Sequence, residues 1–324
     1  MFIPQQGDPA RALDQGMRED LAASLERIGS MAAAVLPGEG RLGEAAGHIR
    51  AHRIEPGVFA LYYDLVFALQ DRDFAAAADL WNKLMARAAA EPQSRLMRYR
   101  PADLGEDAER FQRLTSIGTP DPAVFCDPQE EDWLRFHETA PAALDLLQRA
   151  HPAWAEEVRE LGVWTIAAVP ERRPDARGFS GGSSIMAWGA ILVNVKDWTD
   201  RLGVLGVIAH EATHLLLFGL SRSEPLLTNP VGERYLTEAR PMPRPMNALY
   251  HSTYVSGRTG RMCLEILDRC PGELSAAERL KLERTAELQR ERFDQGYQVI
   301  RRDAQLTPLG RRLIEEASEN LAAG

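Results

Sequence analysis

His210, Glu211 and His214 are the residues of this 324-residue chain whose types and spacing point most directly to chemistry. They form His210-Glu211-Ala212-Thr213-His214, an HExxH pattern inside a long apolar run that predicts a helix. Side chains four apart on a helix lie one turn apart on the same face. Two imidazoles so placed can bind one metal ion, with the intervening glutamate close to it. From Leu202 to Leu220 the run has almost no polar face, and a helix apolar nearly all round is buried. Buried imidazoles and a buried carboxylate are costly without partners, and a metal supplies them. The plainer alternative is a pair of core histidines bonded to backbone. Gly203 and Gly206 precede His210 on its own face. They are expected to let another element approach closely.

Two helical histidines seldom complete a site, so a third ligand is required. The continuation HxxGxxH is absent, because Leu217 stands where its glycine would be. Glu233, Glu238 and His251 are the downstream candidates. Glu211 has two possible tasks. In a zinc peptidase it is the general base that activates water at the metal. In an oxygenase it orients a ligand or the bound substrate. The residues alone leave both open.

The elements that must position these groups follow from apolar periodicity and from the placement of proline and glycine. The chain predicts a mainly α fold with a small, mixed or antiparallel β-sheet (α+β), divided into a helical N-terminal region, residues 1–115, and an HExxH metal-binding domain, residues 116–324. Helices are expected over Leu21–Leu36, Arg41–Arg53, Val58–Gln70 and Phe74–Ala90. Leu80, Trp81, Leu84 and Met85 recur at helical spacing as core. Proline becomes frequent between Glu91 and Pro128, which predicts a linker. Glu130 to Leu161 reads as two helices parted near His151-Pro152. Val163–Val169 reads as a strand, Gly178–Ser184 as a flexible loop, and Ile185–Val195 as a strand bent at Gly189. Asp197 or Thr199 is expected to cap the motif helix, Asp200–Leu220. Helices over Pro245–Cys270, Leu274–Arg301 and Thr307–Ala322 complete the chain, with Gly257 and Gly260 as possible interruptions. Ser183 and Ser184 are candidates for shaping a substrate entrance beside the second strand, whose edge can pair with an extended peptide.

Composition excludes some functions. The chain is 45% hydrophobic and 26% charged, as in a soluble globular protein. A formal net charge of -9 argues against nonspecific binding to nucleic acid or anionic membranes. The three cysteines, Cys126, Cys263 and Cys270, suggest no disulfide framework, and buried free thiols are expected for the last two. No signal-peptide pattern is read in the first residues and no membrane-spanning run in the chain, so a cytoplasmic location is expected.

Ser183-Ser184, Gly189-Ala190-Ile191, HExxH, Arg244-Pro245 and then His251 form an ordered series. In this series the chain resembles the HEXXH-motif domain family: α-ketoglutarate-dependent, HExxH-type peptide β-hydroxylases of ribosomal peptide natural-product pathways. The resemblance spans Ser183 to Val255, under a quarter of the chain, and departs from the family pattern at Ser252, where glycine is usual. It implies Fe(II) held by His210, His214 and His251, with α-ketoglutarate and dioxygen as cosubstrates. A facial three-ligand site leaves three octahedral positions open for them. The far carboxylate of the cosubstrate then needs a cation, and the planar fork of arginine suits it. Arg244 is the first choice, Arg240 the second.

The function so implied is hydroxylation of a peptide side chain at the β-carbon, in a ribosomally synthesised precursor peptide whose leader the N-terminal region would recognise. No nucleic-acid or membrane partner is expected. The alternative is a zinc metallopeptidase that uses HExxH with Glu211 as general base. A non-catalytic module with a structural metal is a third reading.

Overall fold

The computed structural model describes residues 9–36, 39–89, 95–117, 123–171, 178–237 and 240–322. Their elements run α1 (Pro9–Met31), α2 (Glu39–Ala51), α3 (Pro56–Gln70), α4 (Phe74–Arg87), β1 (Arg95–Arg98), α5 (Pro101–Leu104), α6 (Asp107–Ser116), β2 (Phe125–Cys126), α7 (Glu130–Ala150), α8 (Pro152–Leu161), β3 (Trp164–Pro170), β4 (Gly181–Ser183) and β5 (Ala190–Asn194). After these come α9 (Arg201–Leu220), β6 (Tyr235–Thr237), β7 (Arg240–Arg244), α10 (Met246–Arg269), α11 (Ala276–Asp303) and α12 (Pro308–Ala322). With 69% of the described residues helical and a small mixed sheet, the fold is mainly α with a minor β component. The chain divides into two compact units. One comprises Ala10–Glu138 and Val158–Thr199; the other comprises Met1–Pro9, Thr139–Glu157 and Asp200–Gly324.

The first unit holds the larger sheet. Strands β1, β3 and β5 run parallel, with Met97 beside Ile166 and Ile166 beside Leu192. Parallel strands buried on both faces read as near-continuous apolar runs, and Trp164 through Val169 of β3 are all buried. β4 pairs antiparallel with β5, setting Ser183 opposite Ile191, and β2 pairs antiparallel with the end of β3. The stretch expected as a flexible loop therefore contains a strand. The strand expected from Ile185 starts only at Ala190, after a 3₁₀ turn over Ile185–Ala187. Gly189 has φ +91°, a conformation that suits glycine, and a Cβ there would lie 2.9 Å from Val163 Cγ2.

The segment expected as a linker is also structured in part, since β1, α5, α6 and β2 fall within it. Its stability comes from distant partners. Phe111 and Leu114 of α6 enter the core with Trp164 and Ile166. Arg110 donates to Asp64 at 3.1 Å and to Asp107 at 3.0 Å, and Arg113 donates to Asp64 at 2.6 Å.

The second unit carries the HExxH helix. Asp200, not Asp197 or Thr199, caps α9: its carboxylate accepts from the N–H groups of Leu202 (3.1 Å) and Gly203 (3.0 Å). Asp200 also accepts from Lys281 at 2.6 Å, and Arg201 donates to Glu278 at 2.6 Å, so the start of α9 is tied to the start of α11. Contrary to the expectation that the chain holds no membrane-spanning run, helix α9 is long and apolar enough to cross a membrane by length and composition. In its most apolar window 78% of the residues are buried within the protein, as in a core helix.

The Arg201 guanidinium, helped by the backbone N–H and hydroxyl of Ser275, holds the Glu278 carboxyl down at about 2. A carboxyl whose folded value is depressed contributes stability above its unfolded value, about 4.3, and loses it as pH falls through the folded value. Glu278→Gln is accordingly expected to lower Tm by roughly 1–3 °C at neutral pH, given how partly exposed pairs behave. The deficit should shrink as pH is taken from 5 toward 2. Thermal unfolding of both proteins across that range checks this.

Helix α10 is continuous through Gly257 and Gly260. These glycines admit neighbours instead of breaking the helix. A Cβ at Gly257 would lie 2.8 Å from the Phe293 ring of α11, and one at Gly260 would lie 3.1 Å from Leu321 of α12. Tyr250 donates its hydroxyl to Gly310 O of α12 at 2.7 Å. On the other side of α10, the buried Arg258 donates to the buried Glu157 of α8 at 2.5 Å and lies over the Trp154 ring, 4.6 Å from its centroid. The segment after α9 is pinned to the α11–α12 junction. Thr228 N–H donates to Gln305 O (2.9 Å), Thr307 N–H to Leu226 O (3.2 Å) and Asn229 Nδ2 to Asp303 O (2.9 Å).

Candidate metal centre

Helices α9 and α10 bring His251 against His214, with His210 one turn away on α9. His210 and His214 stand one turn apart with ring centroids 5.0 Å apart. His251 of α10 lies nearly parallel to His214, with centroids 5.7 Å apart and an interplanar angle of 16°. Their Nδ1 atoms are 3.4 Å apart. Either one ring donates a proton to the other across that gap, or both lone pairs face a cation. At metal–nitrogen bonds of about 2.0–2.1 Å, two ligands of one ion are separated by roughly 3.0 Å at a right angle and 3.4 Å at the tetrahedral angle.

Burial and the neighbouring His210 and His251 rings hold the protonation of His214 well below the usual histidine value. Burial alone brings His251 down to about 4. Both rings are therefore neutral near pH 7, the form that ligates a metal. Among the described residues no group of three or more His, Cys, Asp or Glu side chains is placed to hold a metal ion. The donor chemistry of three imidazoles fits a nitrogen-preferring transition ion.

The motif helix is asymmetric in exposure. Most of its residues are buried, whereas Gly206, His210, His214 and Phe218, each four residues from the next, are partly accessible. The histidines thus line the open stripe of an otherwise enclosed helix. Glu211, one position round from that stripe, is buried at 5% exposure. Phe218 lies 5.4 Å from the His251 ring and 6.5 Å from the His214 ring, centroid to centroid. It packs against both and was not singled out in the sequence, although its place four residues after His214 marks it.

No family identification follows from comparison. No protein-family model matches the chain, and no curated protein matches it.

The other expected site residues are distributed as follows. Arg244 ends β7, just before the Pro245 cap of α10. It is half-buried, and its guanidinium has no hydrogen-bond or ion-pair partner among the described residues. Arg240 opens β7, pairing with Thr237 through the backbone; its side chain lies outside the described residues. Glu233 is exposed and accepts a hydrogen bond from the Tyr235 hydroxyl, whereas Glu238 lies outside the described residues. Ser183 and Ser184 belong to the other compact unit. Ser184 uses its hydroxyl to accept from Met186 N–H at 3.2 Å. Gly206 departs from expectation: among the described residues nothing lies within 4 Å of a Cβ built on it, so it borders open space and no element packs there.

Proposed function

We propose that the chain is an Fe(II)- and α-ketoglutarate-dependent hydroxylase of peptide side chains, acting at the β-carbon of a ribosomally made precursor peptide. The observation that carries this reading is the meeting of His251 with His214, on a helix whose entry is marked by Arg244, an arginine without a partner among the described residues. His210, His214 and His251 would hold the metal. Bound iron, with α-ketoglutarate and dioxygen, supplies the oxidising power to replace a C–H bond by C–OH.

The protein's own contribution is positional. The apolar burial of α9 excludes water from all but one stripe of the helix. The guanidinium of Arg244 suits the far carboxylate of the cosubstrate, since a planar fork binds a carboxylate bidentately. Glu211, buried beside the motif, would orient a ligand or the substrate.

One observation favours a second reading. The 3.4 Å separation of Nδ1 atoms matches the tetrahedral edge expected for zinc, and a zinc peptidase would use Glu211 as general base.

The deciding measurement needs no peptide. Metal-free protein is given Fe(II) without oxygen and titrated with α-ketoglutarate while the visible spectrum is recorded. A saturating charge-transfer band that weakens in Arg244→Ala is the expected result. Absence of the band, with tight Zn(II) binding and zinc-dependent peptide cleavage, would overturn the hydroxylase reading in favour of the peptidase.

A further inference from the structure

We infer that Gly206 is the opening of the metal centre, and that the absence of a side chain there sets the size of the group the metal can accept. The inference rests on the histidines being metal ligands, whichever metal and reaction apply. Gly206, His210, His214 and Phe218 form the partly accessible stripe of α9, each about 6 Å from the next along the helix axis. The two ends of the stripe differ. Beyond His214 the Phe218 ring packs on both His214 and His251 and closes that end. Before His210 the position of a Gly206 side chain is empty among the described residues.

A glycine inside a helix lowers its stability by about 0.8–1.0 kcal/mol relative to alanine. At other positions in the same unit the reason is visible. Gly257 makes room for Phe293, and Gly296 makes room for Thr253, whose Oγ1 would lie 2.0 Å from an added Cβ. Gly206 lies within α9, where the backbone is helical, and receives no neighbour among the described residues. The space that it leaves, one turn from His210 and opposite the Phe218 end, is where a bulky group bound at the metal can extend.

The test uses the full chain loaded with Co(II), whose visible bands report each exogenous ligand. Wild type, Gly206→Ala and Gly206→Leu are titrated with azide, a small probe, and with benzohydroxamate, a bulky chelating one. All three proteins are expected to take up Co(II) equally and to bind azide equally, with Tm no lower in the variants. Benzohydroxamate is expected to bind Gly206→Leu more weakly by about tenfold or more, as when a filled pocket rejects a larger ligand. If leucine unfolds the chain, the alanine variant carries the same comparison, because it strengthens the helix while adding one methyl group. Co(II)-loaded variants that bind benzohydroxamate as wild type does would overturn the inference while leaving the metal centre standing. A wild-type chain that takes up no Co(II) would remove the metal centre and the inference together.

Discussion

Alanine in place of His251 is expected to weaken Fe(II) binding by more than about 100-fold, the upper end of what even an outer-shell partner contributes to a metal site. On the proposed hydroxylase function, peptide hydroxylation should fall with it. The expectation follows from geometry. His251 is buried, its Nδ1 faces that of His214 across 3.4 Å, and its ring is kept neutral by burial. Glu233→Ala is the matched control, expected to leave the affinity within about twofold, the margin of ordinary surface changes. Glu233 is exposed and already accepts from the Tyr235 hydroxyl. Iron titration of the two variants by calorimetry separates the ligand sets. Full iron binding by His251→Ala, or its loss in Glu233→Ala, would move the third ligand to the glutamate.

Truncating either member of the Arg258–Glu157 pair should destabilise the protein more than any surface change. Arg258 is 7% and Glu157 4% exposed, and they meet at 2.5 Å. Removing one partner of a buried pair leaves the other charged and desolvated, which costs about 3–5 kcal/mol. Glu157→Ala also leaves the guanidinium over the Trp154 ring, where the aromatic face offsets part of the loss, by about 2 kcal/mol or more when desolvated. Arg258→Met with Glu157→Leu should recover much of the loss, because buried ion pairs exchange well for packed apolar groups. Urea unfolding of the two single variants and the double variant checks this. Additive losses in the double variant would mean that the two side chains act separately. Arg258 stands two turns beyond His251 on α10, so the single variants are also expected to bind metal more weakly.

Much of the helical order was legible in the sequence because it is local. The break at Asp71-Arg72-Asp73, the start of α8 at Pro152 and the Thr307-Pro308 entry to α12 are each set by residues at the boundary itself. Trp81, Leu84 and Met85 proved buried as their spacing suggests, whereas Leu80 is only partly buried. What escaped depends on partners far along the chain. β1 and α6 hold through β3, Asp64 and Trp164, and β4 exists only because β5 pairs with it. In the site, the HExxH pair was read from spacing alone. The closeness of His251 needed the packing of α10, and the emptiness at Gly206 needed the absence of a neighbour, which no residue type announces.

The bond from Tyr250 to Gly310 and the clasp of residues 226–229 on residues 303–307 bear on how the protein is made. A ribosome delivers α9 and α10 before α12, at about 5–20 residues per second. Until α12 emerges, the helix bearing His251 lacks the carbonyl that anchors its neighbour Tyr250, and residues 226–229 lack their partners at 303–307. The helices that carry the histidines therefore gain these anchors well after the histidines themselves have been made.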